Sequence, residues 1–217
     1  MSKVRFVCLA NSFKEGGRCL AGVILNDNNS SILKDSNIQW IRPVMDSTYF
    51  GEVKTELAST IKVLDILEIE VLEYPNLDDY QSENALFVEN TIQIVGKYDK
   101  DKLDVFCDSR SLIFGNKGKA ISEDDIIEHN HSLMFIKINH LEIYQKTYND
   151  KPKPQTRGIF TYYGNEYDLP ITDPVFLKRY QFKPNFLIEN KQIYLTLSIG
   201  IEHNAWYYKL IACIILL

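Results

Sequence analysis

The chain has 217 residues, of which 45% are hydrophobic and 24% are charged, and its formal net charge is −5. This length can bury one large core or two small ones, and the composition excludes an intrinsically disordered chain. The acidic balance argues against a protein that coats duplex nucleic acid, because such proteins are usually basic overall.

The first half of the chain is predicted to form short strands that are separated by polar turns. Many aromatic and β-branched residues favour strands over helices. Five segments show strand patterns: residues 4–10, 19–25, 38–44, 63–73 and 89–98. Pro43 is expected to end the third segment. Each segment has one polar face, which is typical of a small antiparallel barrel or sandwich.

A more helical stretch follows, and the chain then returns to strands. Short helices are predicted at residues 101–108 and 122–129, the second with Ser122 as its N-cap. A third helix is predicted at residues 172–181, with Thr172 or Asp173 as cap and Pro174 at its first position. Strand patterns cover residues 132–146, 157–171, 192–200 and 206–217. The second of these segments is predicted to be a hairpin whose tip is Gly164-Asn165.

These patterns predict a mainly β protein made of two units in tandem. We expect a first barrel at residues 1–100, a short helical connector at residues 101–130 and a second barrel at residues 131–217. No sequence repeat is visible at a period of 20–50 residues, but the run of strands occurs twice.

The segment "NSFKEGGRCLAG", residues 11–22, joins the first two predicted strands. It matches neither a P-loop nor a dinucleotide fingerprint, because its glycine pair leads into a strand and not into a helix. One interpretation is a wide hairpin loop. The other is a nest of polar side chains and backbone N–H groups for an anion or a nucleotide edge. The candidate ligand-binding residues here are Asn11, Ser12, Lys14, Gly16, Gly17 and Arg18.

Two further places in the sequence combine aromatic and cationic side chains. In "WIRPV", alternation puts Trp40 and Arg42 on one strand face, where they could stack on a base and pair with a phosphate. The alternative is a buried tryptophan beside a surface arginine. In "EHNAWYYKL", alternation separates Trp206 and Tyr208 from Tyr207 and Lys209, so that one aromatic pair is expected to be accessible. We take Tyr208 and Lys209 as candidate ligand residues.

Recognisable catalytic and metal-binding motifs are absent from the sequence. His129 and His131 beside Glu128 offer too few ligands for a zinc site, so we expect no metal and no other cofactor. No GxSxG, HExxH or Cys–His arrangement is found, and no catalytic residue is assigned. The interpretation therefore leans away from an enzyme.

The four cysteines favour a reducing, cytoplasmic location. They have no CxxC spacing and lie mostly in apolar stretches, which predicts buried free thiols: Cys8, Cys19, Cys107 and Cys213. The N-terminal apolar run is too short for a signal peptide. The C-terminal "LIACIILL" is too short to span a bilayer, so we expect a buried strand there and no membrane association.

Four stretches taken in order resemble the dual OB-containing domain family of prokaryotic proteins. They are "CLANSFKEGGRCLAG", "WIRPV", "YYGNEYDLPITDPVF" and "LTLSIGIEHNAWYYKLIA". The positions that carry the resemblance are Asn11, Ser12, Gly16, Gly17, Arg18, Trp40, Arg42, Pro43, Tyr167, Asp168, Thr172, Asp173, Pro174, Tyr208 and Lys209. The resemblance implies two OB-like five-stranded barrels, a nucleic-acid or nucleotide ligand, and ties to prokaryotic genome-conflict systems.

The leading hypothesis is therefore a binding module that holds single-stranded nucleic acid or a nucleotide in a groove. We expect phosphate pairing by Arg18 and Arg42, base stacking by Trp40 and Tyr208, and contacts to polar base edges from Asn11 and Lys14. Two alternatives stay open. One is an enzyme that acts on nucleotides or nucleic acid through Asn11, Arg18 and His203, and the other is an adaptor whose aromatic surface meets a protein partner.

Overall fold

The chain forms two compact units. The computed structural model describes residues 2–14, 16–34, 37–49, 51–75, 79–149, 152–183 and 185–217. Unit 1 comprises Met1–Phe106 and Asn130–Ser132, and unit 2 comprises Cys107–His129 and Leu133–Leu217. The segment expected to be a connector, residues 101–130, is thus shared between the two units.

Unit 1 is built mainly from strands. Its described elements are β1 (Ser2–Lys14), β2 (Gly17–Leu25), β3 (Leu33–Lys34), β4 (Asn37–Ile38), β5 (Trp40–Val44), α1 (Thr55–Ala58), β6 (Asp65–Glu73), β7 (Asn84–Phe87) and β8 (Gln93–Lys97). Two short 3₁₀ helices follow β7 and β8, at Glu89–Thr91 and Lys100–Phe106.

Five strands of unit 1 close into a barrel. The sheet order is β1-β2-β5-β7-β6-β8, and β1 also pairs with β6, which closes the ring. The β5–β7 pair is parallel, whereas the other pairs of the ring are antiparallel. With α1 between the third and fourth barrel strands, this is the Greek-key arrangement of an OB fold.

The barrel interior is filled by the apolar side chains that alternate along these strands. Phe6, Leu20, Ile41 and Leu67 are fully buried in one cluster. Ala58 of α1 belongs to the same cluster, so this short helix closes one end of the barrel. Burial of such side chains, at about 25 cal/mol per Å² of apolar surface, is the main force that holds the unit together.

Unit 2 repeats the same order of connections. Its described elements are β9 (Ala120–Ser122), α2 (Glu123–Ile126), β10 (Leu133–Ile138), β11 (Leu141–Lys146), β12 (Gln155–Tyr162), β13 (Asn165–Pro170), α3 (Pro174–Tyr180), β14 (Phe186–Ile188), β15 (Ile193–His203) and β16 (Trp206–Leu216), with a 3₁₀ turn at Ile113–Gly115. One sheet has the order β10-β15-β16-β9, and the other has the order β13-β12-β11-β14.

The two sheets of unit 2 form a curled half-barrel. Consecutive strands β10 and β11 lie in different sheets, so the chain passes from one sheet to the other between Ile138 and Leu141. On the other side, a single parallel bridge joins Ile171 to Ile211. The ring of strands is therefore the same as in unit 1, but it is only loosely joined between β13 and β16.

Most predicted elements are confirmed, with local corrections. Ser122 caps α2 by accepting a hydrogen bond from Asp125 N, and Asp173 caps α3. The prediction that Pro43 ends its strand is wrong, because β5 continues to Val44. The tip of the β12–β13 hairpin is Tyr163-Gly164, one residue earlier than predicted, and both residues have positive φ as a type I′ turn requires.

Candidate nucleic-acid interface

The glycine pair of the first hairpin is packed against residues 52–53. β1 and β2 pair as far as Lys14 and Gly17, so the connection is tight and not wide. A Cβ atom on Gly17 would lie 2.6 Å from the carbonyl oxygen of Val53. Arg18 and Val53 also exchange backbone hydrogen bonds of 2.9 and 2.8 Å. Gly17 is buried, and its role is to let these two segments approach each other.

A cation–aromatic pair lies at the same hairpin. Phe13 and Arg18 face each other across β1 and β2, and the guanidinium carbon lies 4.6 Å from the ring centroid. Phe13 is 53% exposed, which is unusual for a phenylalanine in a strand. Of the candidates in the loop, Gly16 is exposed, and Lys14 and Arg18 are half-buried.

Asn11 and Ser12 are part of the internal structure of unit 1. The side-chain amide of Asn11 donates to the carbonyl oxygens of Ala58 and Ile61, at 2.9 and 3.0 Å. It thereby fixes the end of α1. Ser12 is only 5% exposed. The expected contact of Asn11 with a base edge has no support in this geometry.

Arg42 is held by a buried carboxylate. Its guanidinium lies 2.9 Å from Glu83 Oε1 and donates to Ser132 Oγ at 2.6 Å. The Ser132 hydroxyl donates in turn to Glu83 Oε1. Burial by itself lowers the pKa of Arg42, but Glu83 together with Cys19 and Tyr80 more than offsets this, and the pKa lies above its usual value. Because its charge is already neutralised, we replace the expected phosphate role of Arg42 with a structural one.

Lys14 and Trp40 lie in the same part of unit 1 as this ion pair. Trp40 is half-buried and pairs with Val23 of β2. Burial lowers the pKa of Lys14, and the nearby charge of Arg42 adds to this, while Cys19 and Glu52 act in the opposite direction.

Lys209 is fully buried in unit 2. Its ammonium group donates to Ile113 O at 2.6 Å, to Asn116 O at 2.9 Å and to Asn116 Oδ1 at 2.7 Å. Burial lowers the pKa of Lys209 to about 7. An amine with no exposed surface cannot meet a phosphate, so Lys209 is also a structural residue.

The neighbouring aromatic residues of β16 remain accessible. Tyr208 is half-buried, and its ring centroid lies 6.4 Å from that of His203. Trp206 is 47% exposed and pairs with Ser122 of β9. Tyr207 is half-buried like Tyr208, so burial distinguishes only the exposed Trp206 from the buried Lys209.

The clearest polar and aromatic cluster lies on the outer face of the β11–β12–β13 sheet, and none of its residues is among the candidates that the sequence predicts. Tyr144, Lys146 and Tyr148 follow each other at every second position along β11 and just beyond it. We name these three residues the β11 row. The two tyrosines are half-buried and Lys146 is exposed. The Lys146 ammonium lies 5.4 Å from the ring centroid of Tyr148.

Arg157 of the neighbouring strand β12 holds this row in place through hydrogen bonds. Its Nε donates to Asp168 Oδ1 at 2.7 Å, and a second nitrogen donates to Gln155 Oε1 at 2.7 Å and to the Tyr148 hydroxyl at 3.4 Å. Tyr144 donates to Asp168 Oδ2 at 2.7 Å. Burial and the Asp168 carboxylate raise the pKa of Tyr144, so the hydroxyl keeps its proton near neutral pH. Both rings are thus held by side chains from neighbouring strands.

Neither a metal cluster nor a membrane span is found in the described part of the chain. No three His, Cys, Asp or Glu side chains among the described residues are placed to hold a metal ion together. No helix in this part of the chain is long and apolar enough to cross a membrane.

A family model described as "Dual OB-containing domain" matches residues 4–214, nearly the whole chain. The chain belongs to the dual OB-containing domain family. The predicted family and fold class, mainly β with tandem OB-like barrels, are thereby confirmed. No curated protein gives a significant sequence match to this dual OB chain.

One solved structure similar to this dual OB chain is titled "Crystal structure of the tetrameric p202 HIN2". The match covers 100% of this chain and 93% of that chain, with 7% sequence identity and a TM-score of 0.33. A likeness this low carries no argument about function.

Proposed function

We propose that this dual OB chain binds short single-stranded nucleic acid and that the β11 row of unit 2 is the main contact surface. OB folds hold oligonucleotides on the outer face of the sheet that contains their second and third strands. In unit 2 these strands are β12 and β13, and the β11 row lies on the same outer face.

The chemistry of the row suits a single strand. Two tyrosine rings offer stacking surfaces, and stacking of a base on an aromatic side chain is worth about 1–3 kcal/mol. Lys146 between them offers a cation for the phosphate. The observation that carries the proposal is the network in which Arg157 and Asp168 hold both tyrosines, because rings that are already fixed lose little entropy on binding.

The accessible candidates from the sequence complete the proposal. Arg18 with Phe13 at the β1–β2 hairpin, Trp40, and Tyr208 with Trp206 are secondary contact residues. Lys14 and Gly16 line the same hairpin as Arg18. A place in a prokaryotic conflict or defence system stays a proposal that rests on the family resemblance alone.

Fluorescence anisotropy with labelled 15-nucleotide dT and rU strands tests this function. We expect Tyr144→Ala/Tyr148→Ala to weaken binding about 10-fold or more, because two stacking surfaces are lost. Tyr144→Phe/Tyr148→Phe keeps both rings and should retain most of the affinity.

A matched control is Tyr163→Ala. Tyr163 is 63% exposed at the far end of β12 from Gln155, so its removal should leave affinity unchanged. The proposal fails if the unaltered chain binds neither strand at 50 mM salt. It also fails if the double alanine variant, shown to be folded by circular dichroism, binds like the parent.

A further inference from the structure

A second surface of unit 2 combines cations with an exposed aromatic ring. Lys178, Arg179 and Lys183 are exposed at the end of α3 and just after it. Phe182 lies among them and is 88% exposed. We name these four residues the α3 basic patch. The chain as a whole has a net charge of −5, so this concentration of positive charge is local.

No described carboxylate forms a salt bridge with the patch. Lys178, Arg179 and Lys183 form no salt bridge within the part of the chain that the structure describes. The one acidic residue between positions 172 and 188 is Asp173, which is 6% exposed. Its oxygens accept hydrogen bonds from the backbone N–H groups of Val175, Phe176 and Ile214. Its charge is therefore used inside the unit.

Aromatic packing gives the patch a firm base. The ring centroid of Tyr180 lies 4.6 Å from that of Phe176 and 4.7 Å from that of Phe186. The Arg179 guanidinium lies 5.5 Å from the Tyr180 ring centroid. The end of α3 is thus anchored by three rings, while its cations point outward.

A small cleft connects this end of α3 to the strands of the β11 row. Gln145 and Thr156 line it from β11 and β12, and Tyr180, Gln181 and Lys183 line it from the α3 side. Gln145 is the residue directly before Lys146. Asn185, which follows the patch, accepts a hydrogen bond from Gln145 N at 3.4 Å. Gln145 alternates with Lys146, so the cleft lies on the other face of β11 from the row, and the patch adjoins this strand.

We propose that the α3 basic patch binds the phosphate backbone of a single strand whose bases stack on the β11 row. This inference rests on the proposed function and extends the site beyond the sheet face. The lysines and Arg179 would neutralise phosphates, and Phe182 would stack on a base. A single-stranded ligand fits this surface because it offers phosphates and unpaired bases at alternate positions.

The test compares two triple variants that remove the same charge. Lys178→Gln/Arg179→Gln/Lys183→Gln alters the patch, and Lys117→Gln/Lys119→Gln/Lys191→Gln removes three other exposed lysines of unit 2. Binding is measured with dT strands of 4 and 15 nucleotides over a range of salt concentrations. The patch variant should bind the long strand about tenfold more weakly at low salt, and its salt slope should be shallower by about 2. The short strand, which covers the β11 row alone, should bind both variants equally.

The outcomes separate this inference from the proposed function. If the patch variant and the control bind the long strand equally, the patch inference is overturned and the β11 row stands. If the parent chain binds neither strand, both fail. If the patch variant loses binding to phosphatidylserine vesicles but keeps its affinity for dT, the surface is a membrane contact and the inference is overturned. Loss that is confined to the long strand, with a further loss in Phe182→Ala, supports it.

Discussion

Some lysine and arginine side chains of this chain are buried and paired inside the fold, and the sequence alone does not show which ones. Arg42 is paired with Glu83, which lies 41 positions further along the chain, and Lys209 is held by residues 113–116. Both look like surface cations in an alternating strand. Their partners come from distant segments, so only the folded chain shows that their charges are used internally.

Lys209 is expected to make stability depend on pH. Its pKa in the folded chain is about 7, below the value of 10.5 for an unperturbed lysine. Between these values the unfolded chain binds more protons than the folded chain, so the free energy of unfolding should rise with pH above 7. One proton gives a slope of at most about 1.4 kcal/mol per pH unit. Lys209→Met should remove this contribution.

The measurement is urea unfolding of both proteins between pH 7 and 8.5. Burial raises the pKa of Cys8 to about 12, so Cys8 opposes this trend near the upper end of the window, where an unfolded thiol begins to titrate, but it does so equally in both proteins. The variant also removes the short hydrogen bonds from the ammonium group to the carbonyl oxygens of Ile113 and Asn116 and should be less stable throughout. The diagnostic result is the difference in slope, and parallel curves would contradict the assigned pKa.

At the scale of elements, the strands with long alternating apolar patterns and the helices with clear capping residues were predicted correctly from the sequence. Strands β1, β2, β6, β15 and β16 were found because their apolar faces are long, and the caps at Ser122 and Asp173 follow from local chemistry. β7, β9 and β14 were missed because they have only four, three and three residues. Such strands are stabilised by their neighbours and not by a pattern of their own.

Pro43 shows why one strand end was predicted wrongly. β5 pairs with β2 only at Trp40 and Ile41, and Arg42 N donates to Glu83 O on the other side. The N–H that proline lacks would point toward the β2 side, beyond the end of that pairing. Proline is therefore tolerated inside this strand.

The β11 row was missed for another reason, since two tyrosines and a lysine at every second position also occur on ordinary solvated strands.

Gly22 is the residue on which the closure of the first barrel depends. It pairs with Cys8 beside the irregularity in β1, and an added Cβ atom would lie 2.0 Å from Val7 O and 2.7 Å from Phe6 Cδ2. Gly22→Ala should therefore destabilise unit 1 by roughly 3 kcal/mol or more, because neither backbone nor core can yield that distance.

Gly96→Ala is the matched control for this substitution. Gly96 lies in β8 of the same unit, and its added Cβ would meet Ile66 at an ordinary contact distance of 3.6 Å. We expect its effect on the free energy of unfolding to stay within about 0.5 kcal/mol. Chemical unfolding followed by circular dichroism compares the two variants, and equal stabilities would contradict the close approach of β1 and β2.

At the scale of the whole molecule, charge sets limits on the ligand. The net charge of −5 repels a long polyanion. The β11 row and the α3 basic patch together hold only four cations: Lys146, Lys178, Arg179 and Lys183. A short single-stranded nucleic acid can place its phosphates on these cations. A longer one must also place phosphates near acidic side chains, which lowers its affinity. Tyrosine rings, moreover, can stack only on bases that are not paired.

The salt dependence of binding should therefore be shallow. Four neutralised phosphates on a single strand give a slope of about −3 for log K against log salt concentration. A duplex of the same length should bind at least about tenfold more weakly, since its bases are already stacked and paired and cannot stack on the tyrosine rings. Anisotropy titrations of dT15 and a 15-base-pair duplex between 50 and 300 mM salt measure both quantities. A slope steeper than about −5, or equal affinity for the duplex, would mean that the backbone is bound over a much larger surface than these four cations provide.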